Sequence, residues 1–437
     1  MAKPIVAIVG RQNVGKSTLL NRLVGKRLSI VEDLPGTTRD RVFADTSWQG
    51  RDFTVIDTGG LEPNLLTTVS RGVQAQIGIA IEEADIIIFL TDVRDGVTAG
   101  DIDIADMLRR AGKPVLLAVN KADNPKLEAG TAEFYQLGLG EPFPISAIHG
   151  HSTADMLDKV VSLFPPEEPE KAETIGMKLA IVGRPNVGKS TLLNALLGEE
   201  RSIVDEVPGT TRDAIDVVLD FEGQSVLLID TAGIRRRGRV EAGIEWYSVL
   251  RSMKAIDRAD VALLVLDATE LVAAQDAHVA GYLQQATKGV LIIVNKWDLV
   301  PQKNQREYTD FVRSQLKFLA YAPVLYMSAK SGQGVAQVMP EAVKVYQERL
   351  KRVPAEALTG AMKSAVGSHV LPRKGRRELK LSSVTQTGTN PPSFEFLVND
   401  AKLIHFSYER YLENKLRESF GFAGTPINIV FKTRGES

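Results

Sequence analysis

The 437-residue chain contains no cysteine. Disulfide scaffolds and cysteine-ligated zinc are excluded, which fits a reducing compartment. Neither charge is in excess: 53 Lys and Arg stand against 54 Asp and Glu, a net of −1. Global charge therefore makes no case for nucleic acid or a membrane surface as partner. Long apolar runs are also missing. Stretches such as Val261–Leu266 reach about a third of a membrane span. Ile5–Val9 is too short for the core of a signal peptide, and no cleavage pattern follows it. Lipid-anchor motifs and polybasic ends are absent. The expectation is a cytoplasmic protein with no membrane partner.

Hydrophobic residues make up 44% and charged residues 24%, ordinary values for a globular protein. An internal repeat organises the chain. Residues 8–20 read IVGRQNVGKSTLL, and residues 181–193 read IVGRPNVGKSTLL. The same 173-residue offset links PGTTRD at 35–40 to PGTTRD at 208–213, and Asp57 to Asp230. It grows to 175 at Asn120 and Asn295 and to 182 at Ser146 and Ser328. Each copy alternates apolar runs with amphipathic stretches; in the first the runs are 5–9, 54–56, 86–90, 115–119 and 143–145. That alternation predicts a doubly wound, mostly parallel sheet in each copy. The Pro- and charge-rich segment 165–176 reads as a linker. Beyond residue 352 the pattern changes to helix (355–366), strand (378–386), strand (393–398), helix (403–420) and strand (426–432). The fold class is thus α/β: two tandem domains, 1–164 and 177–352, followed by a small α+β domain, 353–437.

Gly10-Arg11-Gln12-Asn13-Val14-Gly15-Lys16-Ser17, followed by Thr18, fits G-x-x-x-x-G-K-[ST] between a predicted strand and a predicted helix. Glycines let backbone N–H groups turn inward around phosphates, and the helix N-terminus adds its positive end. Lys16 would reach the β- and γ-phosphates, and the Ser17 hydroxyl would ligate Mg²⁺. Gly183-Arg184-Pro185-Asn186-Val187-Gly188-Lys189-Ser190, followed by Thr191, repeats the motif. Asp57-Thr58-Gly59-Gly60 and Asp230-Thr231-Ala232-Gly233 follow apolar strands. Their carboxylates can hold Mg²⁺ through water, and Gly60 or Gly233 can offer an N–H to the γ-phosphate. Between these motifs stand Thr37-Thr38 and Thr210-Thr211. Either hydroxyl of each pair can close the Mg²⁺ shell.

Asn120-Lys121-Ala122-Asp123 and Asn295-Lys296-Trp297-Asp298 each follow an apolar run. An Asp carboxylate here accepts the N1–H and 2-amino hydrogens of guanine, a donor pair that adenine lacks. The lysine stems can cover the base. Ser146-Ala147 and Ser328-Ala329-Lys330 could present backbone N–H groups to the guanine oxygen. One expected group is missing. Ras-like enzymes place a glutamine just after D-x-x-G to orient the attacking water. Here Leu61 and Ile234 occupy that place.

With these motifs in hand, the chain closely resembles the Der (EngA) family of double GTPases, among the Era-like bacterial GTPases. The resemblance runs end to end: GRxNVGKST, PGTTRD, DTxG and NKxD occur twice, and GTNPPSFEFLVND and SYERYLENKLRESFGFAGTPI follow. It implies GTP and GDP as ligands, a KH-like third domain, and work on the large ribosomal subunit and its rRNA. It favours Thr38 and Thr211 as the Mg²⁺ threonines. It also implies a K⁺ ion at Asn13 and Asn186, because related GTPases with asparagine there use one. Catalytic groups would be Lys16, Thr38, Gly60, Lys189, Thr211 and Gly233, in a chain that is monomeric when free. Departures are Gln12 in place of the proline seen at Pro185, and Ile148 in place of Lys330.

Residues 352–437 carry 13 Lys and Arg against 8 Asp and Glu, so a basic end follows an acidic body. Its densest cluster is Arg373, Lys374, Arg376 and Arg377; Arg235, Arg236, Arg237 and Arg239 form another. Both suit an RNA-facing surface. Gly421-Phe422-Ala423-Gly424 spells the G-x-x-G of KH domains. It lies between a helix and a strand, where a helix cap is the better reading. The competing function is a regulatory GTPase acting away from the ribosome, at a membrane or elsewhere.

Overall fold

The computed structural model describes residues 3–24, 43–58, 78, 80–164, 176–199, 206–208, 215–231, 245–270, 272–301, 303–367, 373–374 and 377–433. The chain divides into two compact units, Met1–Ala172 and Glu173–Ser437.

In the first unit, six strands form one sheet: β1 (Ile5–Val9), β2 (Phe43–Trp48), β3 (Arg51–Asp57), β4 (Ile86–Asp92), β5 (Val115–Asn120) and β6 (Phe143–Pro144). Their order is β2-β3-β1-β4-β5-β6. Every pair is parallel except β2 with β3. β1 and β4 are buried along their whole length, as strands covered on both faces must be. Helices α1 (Lys16–Val24), α2 (Ala99–Ala111), α3 (Pro125–Gly130) and α4 (Thr153–Ser162) accompany the sheet. Leu19, Leu20 and Leu23 of α1 and Met156, Leu157 and Val160 of α4 share a core with Val6, Ile8 and Ile88. α2 starts at a capping box, in which Thr98 and Asp101 satisfy each other's backbone N–H.

The second unit repeats the design with β7 (Met177–Val182), β8 (Glu206–Pro208), β9 (Ile215–Phe221), β10 (Gln224–Ile229), β11 (Val261–Asp267), β12 (Gly289–Asn295) and β13 (Val324–Tyr326). The order is β13-β12-β11-β7-β10-β9-β8. Helices α5 (Lys189–Glu199), α6 (Glu245–Arg258), α7 (Ala274–Gln285), α8 (Gln305–Gln315) and α9 (Val338–Leu350) belong to it. The mostly parallel expectation holds for the sheet centres. The hairpins β2–β3 and β9–β10, and the short β8, are antiparallel additions at one edge.

The same unit continues into α10 (Ala355–Gly367), β14 (Arg373–Lys374), β15 (Arg377–Glu378), β16 (Leu381–Gly388), β17 (Ser393–Val398), α11 (Phe406–Phe420) and β18 (Asn428–Thr433). β16 and β17 pair antiparallel, and β17 and β18 parallel. β17 buries alternate residues, Phe394, Phe396 and Val398, against Leu358 and Met362 of α10 and Leu412 and Leu416 of α11. This small sheet is tied to the starts of β11 and β12. Val290 N–H donates to the Gly424 carbonyl (2.7 Å), and Gly424 N–H to the Tyr321 carbonyl (2.9 Å). Buried Arg349 donates to Asn390 Oδ1 (2.8 Å) and the Thr287 carbonyl (3.0 Å). Asn390 in turn donates to Asp260 (3.0 Å). Gly421 N–H donates to the Arg417 carbonyl (2.8 Å) and ends α11. The G-x-x-G segment is thus a helix cap packed against the second sheet, as its position between a helix and a strand suggested.

Candidate functional site

In both copies the motifs meet at the carboxyl ends of parallel strands, where the chain order reverses about the first strand. That crevice is where open α/β sheets place ligands. β1 leads into Gly10–Ser17 and then α1; β7 leads into Gly183–Ser190 and then α5. Asn13 (φ 64°) and Asn186 (φ 65°) hold left-handed backbone, which asparagine tolerates better than most residues. Gly15 and Gly188 both have φ 99°. A Cβ at Gly15 would fall 2.4 Å from Asn120 Nδ2, and one at Gly188 2.2 Å from Asn295 Nδ2. Glycine is required there by the site's own framework. Lys16 is buried, and its Nζ donates to the carbonyls of Gly10 (2.9 Å) and Arg11 (2.7 Å). Lys189 repeats this on Gly183 and Arg184 (both 2.5 Å). Gln12, Asn13, Ser17 and Thr18 are exposed around the first loop, as are Asn186 and Thr191 around the second, with Pro185 half-buried.

β3 delivers Asp57, which is 1% exposed. Ser17 Oγ donates to Asp57 Oδ2 at 2.6 Å, so two of the expected Mg²⁺ donors converge. Thr58 turns inward and donates to the Ile8 carbonyl (2.9 Å). In the second copy Asp230 follows β10, and its N–H donates to Asp216 Oδ1 (3.0 Å); Thr231 is buried. Thr38, Gly59, Gly60, Leu61, Thr211, Ala232, Gly233 and Ile234 lie outside the described residues. So do Arg235–Arg239, Arg376 and the side chains of Arg373, Lys374 and Arg377.

The third corner is the most regular. Asn120 Nδ2 donates to the Val14 carbonyl (2.8 Å), while Asn120 Oδ1 accepts from Ala147 N–H (2.9 Å). Asn295 makes the same two bonds, to Val187 (2.8 Å) and from Ala329 (2.9 Å). One buried side chain thus pins the phosphate loop to the loop after the last strand. Lys121 and Lys296 sit in left-handed backbone and pair with Asp92 and Asp267. Ser146 and Ser328 are fully buried. Asp123 accepts from Ser146 Oγ and from Arg94, both at 2.6 Å. The Ser146 bond foremost, and then Arg94, hold its carboxyl below the usual range against the opposing effect of burial. Ala122 and Trp297 are buried; the indole lies 4.5 Å from the Tyr326 ring and 4.9 Å from Tyr308. Asp298 and Lys330 are exposed.

Comparison with known proteins agrees with this geometry. The family described as "50S ribosome-binding GTPase" matches residues 5–121 and again 178–296. The family described as "KH-domain-like of EngA bacterial GTPase enzymes, C-terminal" matches 352–432. The protein named GTPase Der from Chloroflexus aggregans is 52% identical over 444 residues, covering 99% of each chain. GTPase Der from Clostridium novyi is 48% identical over 438 residues, covering 100% of both. The chain belongs to the GTPase Der family. It is a GTPase with two G domains and a KH-like carboxyl-terminal domain. A solved Era chain from Aquifex aeolicus is also similar, at 20% identity and a TM-score of 0.33, with 75% of this chain and 93% of that one covered.

Three features of this Der-family site were not singled out from sequence. Asp92 and Asp267 anchor the NKxD lysines; their shared 175-residue offset, the one that links Asn120 to Asn295, was the available signal. Arg22 holds the Ala147 carbonyl (2.5 Å) and that of Ile148, bracing the serine loop from α1. Arg11 and Arg184, expected at the nucleotide as members of the loop motif, turn instead from the phosphate loop toward the starts of α2 and α7. Arg11 meets Asp95 (2.5 Å) and buried Asp101 (3.5 Å), and Arg184 meets Glu270 and buried Asp276 (3.3 Å).

Proposed function

We propose that each G domain is a Mg²⁺-dependent GTP switch and that the chain uses both in assembling the large ribosomal subunit. The observation that carries the switch reading is the duplicated asparagine bridge. It joins the phosphate loop, the NKxD loop and the serine loop in both copies, with bond lengths equal to 0.1 Å. Domains 1–164, 177–352 and 353–437, with 165–176 as linker, are the working units.

In this reading Lys16 and Lys189 exchange loop carbonyls for the β- and γ-phosphate oxygens. Asp123 and Asp298 read guanine, while Ala147 and Ala329 border its oxygen. The convergence of Ser17 Oγ on Asp57 fits a hard cation that takes oxygen donors. Ser17, Thr38 and Asp57, and Ser190, Thr211 and Asp230, would hold Mg²⁺, which offsets phosphate charge when bound. The exposed carboxamides of Asn13 and Asn186 offer neutral oxygens that suit K⁺. They stand in domains whose Leu61 and Ile234 have no polar group with which to orient water. Gly60 and Gly233 present N–H to the γ-phosphate and, with Thr38 and Thr211, release their segments on hydrolysis.

The ribosomal part rests on the family match and on the basic carboxyl-terminal end. Relatives in the matched family are described as 50S ribosome-binding. No helix among the described residues is long and apolar enough to cross a membrane, and we assign the chain to the cytoplasm, monomeric when free. Sedimentation of the purified chain with 50S subunits tests this. Pelleting is expected with a non-hydrolysable GTP analogue, much less with GDP, and falling steeply with salt as counterions are released. Replacing Arg373, Lys374, Arg376 and Arg377 with glutamine should weaken pelleting and spare hydrolysis. Equal pelleting in both nucleotide states would end the switch reading; flotation with liposomes instead would favour a membrane GTPase.

A further inference from the structure

The two guanine-reading corners share one backbone framework, and one of the side chains in which they differ bears on the aspartate that reads the base. In the first copy, Asp92 follows the same plan as Asp267 in the second. Each carboxylate accepts the N–H two residues on: Arg94 N–H at 3.0 Å, and Thr269 N–H at 2.9 Å. Each also pairs with the NKxD lysine, Lys121 or Lys296. The side chains at the matched positions then part ways. Thr269 folds its hydroxyl back onto Asp267 (2.7 Å). Arg94 reaches outward instead and ion-pairs with Asp123 Oδ2 at 2.6 Å. Ser146 Oγ takes the other oxygen of that carboxylate, also at 2.6 Å. Asp298, the matching residue of the second copy, is exposed and makes no ion pair among the described residues.

We propose that Arg94 is an internal competitor for guanine at the first site, loosening that site's hold on nucleotide and speeding its release relative to the second. The proposal rests on the reading of Asp123 as the guanine acceptor. A guanine edge brings two donors to this carboxylate, and both of its oxygens already serve donors of the chain. Ser146 is fully buried and fixed. Arg94 is 57% exposed and free to swing into water, so it is the partner that yields. Yielding costs the ion pair each time nucleotide binds. Arg94 acts on the ligand through Asp123 and is a positioning residue that tunes affinity, not a catalytic one.

The test uses the full chain with Lys189→Ala, so that only the first site binds fluorescent GDP. Arg94→Thr installs the second copy's residue and keeps the backbone bond to Asp92. It should tighten GDP and slow its release by roughly two- to five-fold, the range of an exposed ion pair. The gain should shrink toward none at high salt, which a purely structural role would not do. Adding Asp123→Asn and measuring xanthosine diphosphate should abolish the effect of Arg94→Thr, because no carboxylate remains to pair. Unchanged or weaker GDP binding by Arg94→Thr would overturn the proposal. If Asp123→Asn keeps its preference for GDP over the xanthine analogue, the guanine reading itself fails. A switched preference with no effect of Arg94→Thr would instead sink the competitor alone.

Discussion

Truncating Asn295 to alanine isolates the feature on which the second site is built. Asn295 is 2% exposed and bonds the Val187 carbonyl and Ala329 N–H at 2.8 and 2.9 Å. Val187 is fully buried and Ala329 nearly so. Alanine leaves both backbone groups without their partner, at about 1–3 kcal/mol each when no water replaces it. The site lies at the edge of a crevice, so water will satisfy part of that loss. A total of about 2–3 kcal/mol is expected, or roughly 30- to 150-fold in affinity if it falls wholly on nucleotide binding. Asn295→Asp should not rescue. It keeps an acceptor for Ala329 but turns a carboxylate toward the Val187 carbonyl. The assay is titration of fluorescent GDP in a Lys16→Ala chain, where only the second site reports. Thermal melting of the same samples separates loss of fold from loss of site. Intact GDP affinity in the alanine and aspartate variants alike would refute the view that this bridge shapes the site.

Asp298→Asn should move the second site from GTP toward xanthosine triphosphate, read by competition binding, because the amide presents a donor where guanine also donates. Turnover should depend on K⁺ and fall in Na⁺, and Asn186→Ala should blunt that response at the second site; equal rates in both salts would count against a cation at Asn13 and Asn186. Gly424→Ala should destabilise the second unit, seen as an earlier melting transition. Its backbone is left-handed (φ 74°) and a Cβ would lie 2.4 Å from Val345 Cγ2. GDP affinity should be unchanged, since Gly424 sits at the far end of the sheet.

Legibility in the sequence followed how local each cause is. The phosphate loops were legible because a single short segment carries strand, turn and helix start together. The strand centres were legible too: β4 and β11 are buried throughout, so their apolar runs are unbroken. β2 was missed because FADTSW mixes polar and apolar residues on an edge strand, and only its pairing with β3 makes it a strand. The start of α11 was placed at 403, three residues early, because a short 3₁₀ turn at Ala401–Leu403 carries the apolar pattern past the true boundary at Phe406. Contacts of long range were not legible. Nothing near Arg94 in sequence indicates Asp123, and Arg349 gives no sign that it will be buried against Asn390 and Thr287.

That last residue bears on how a nucleotide signal can leave the second site. β12 begins at Gly289, beside the Gly424 contact, and ends at Asn295 in the guanine corner. All its residues are buried, with parallel partners on both sides. A seven-residue strand spans about 20 Å, so the KH-like sheet and the guanine corner lie at opposite ends of one strut. Swinging that sheet would expose Arg349, whose guanidinium burial already disfavours, with Asp260 partly offsetting the cost. It would also part Val290 from Gly424 and lift Arg417 from the Tyr321 ring, 4.5 Å below it. These contacts tie the small sheet to the second G domain at the end of β12 away from the guanine corner. If residues 353–432 move with the second G domain, a nucleotide-dependent change in ribosome binding has to arise elsewhere, and the sequence's other basic cluster, Arg235, Arg236, Arg237 and Arg239 just after D-x-x-G, is the one to test by substitution.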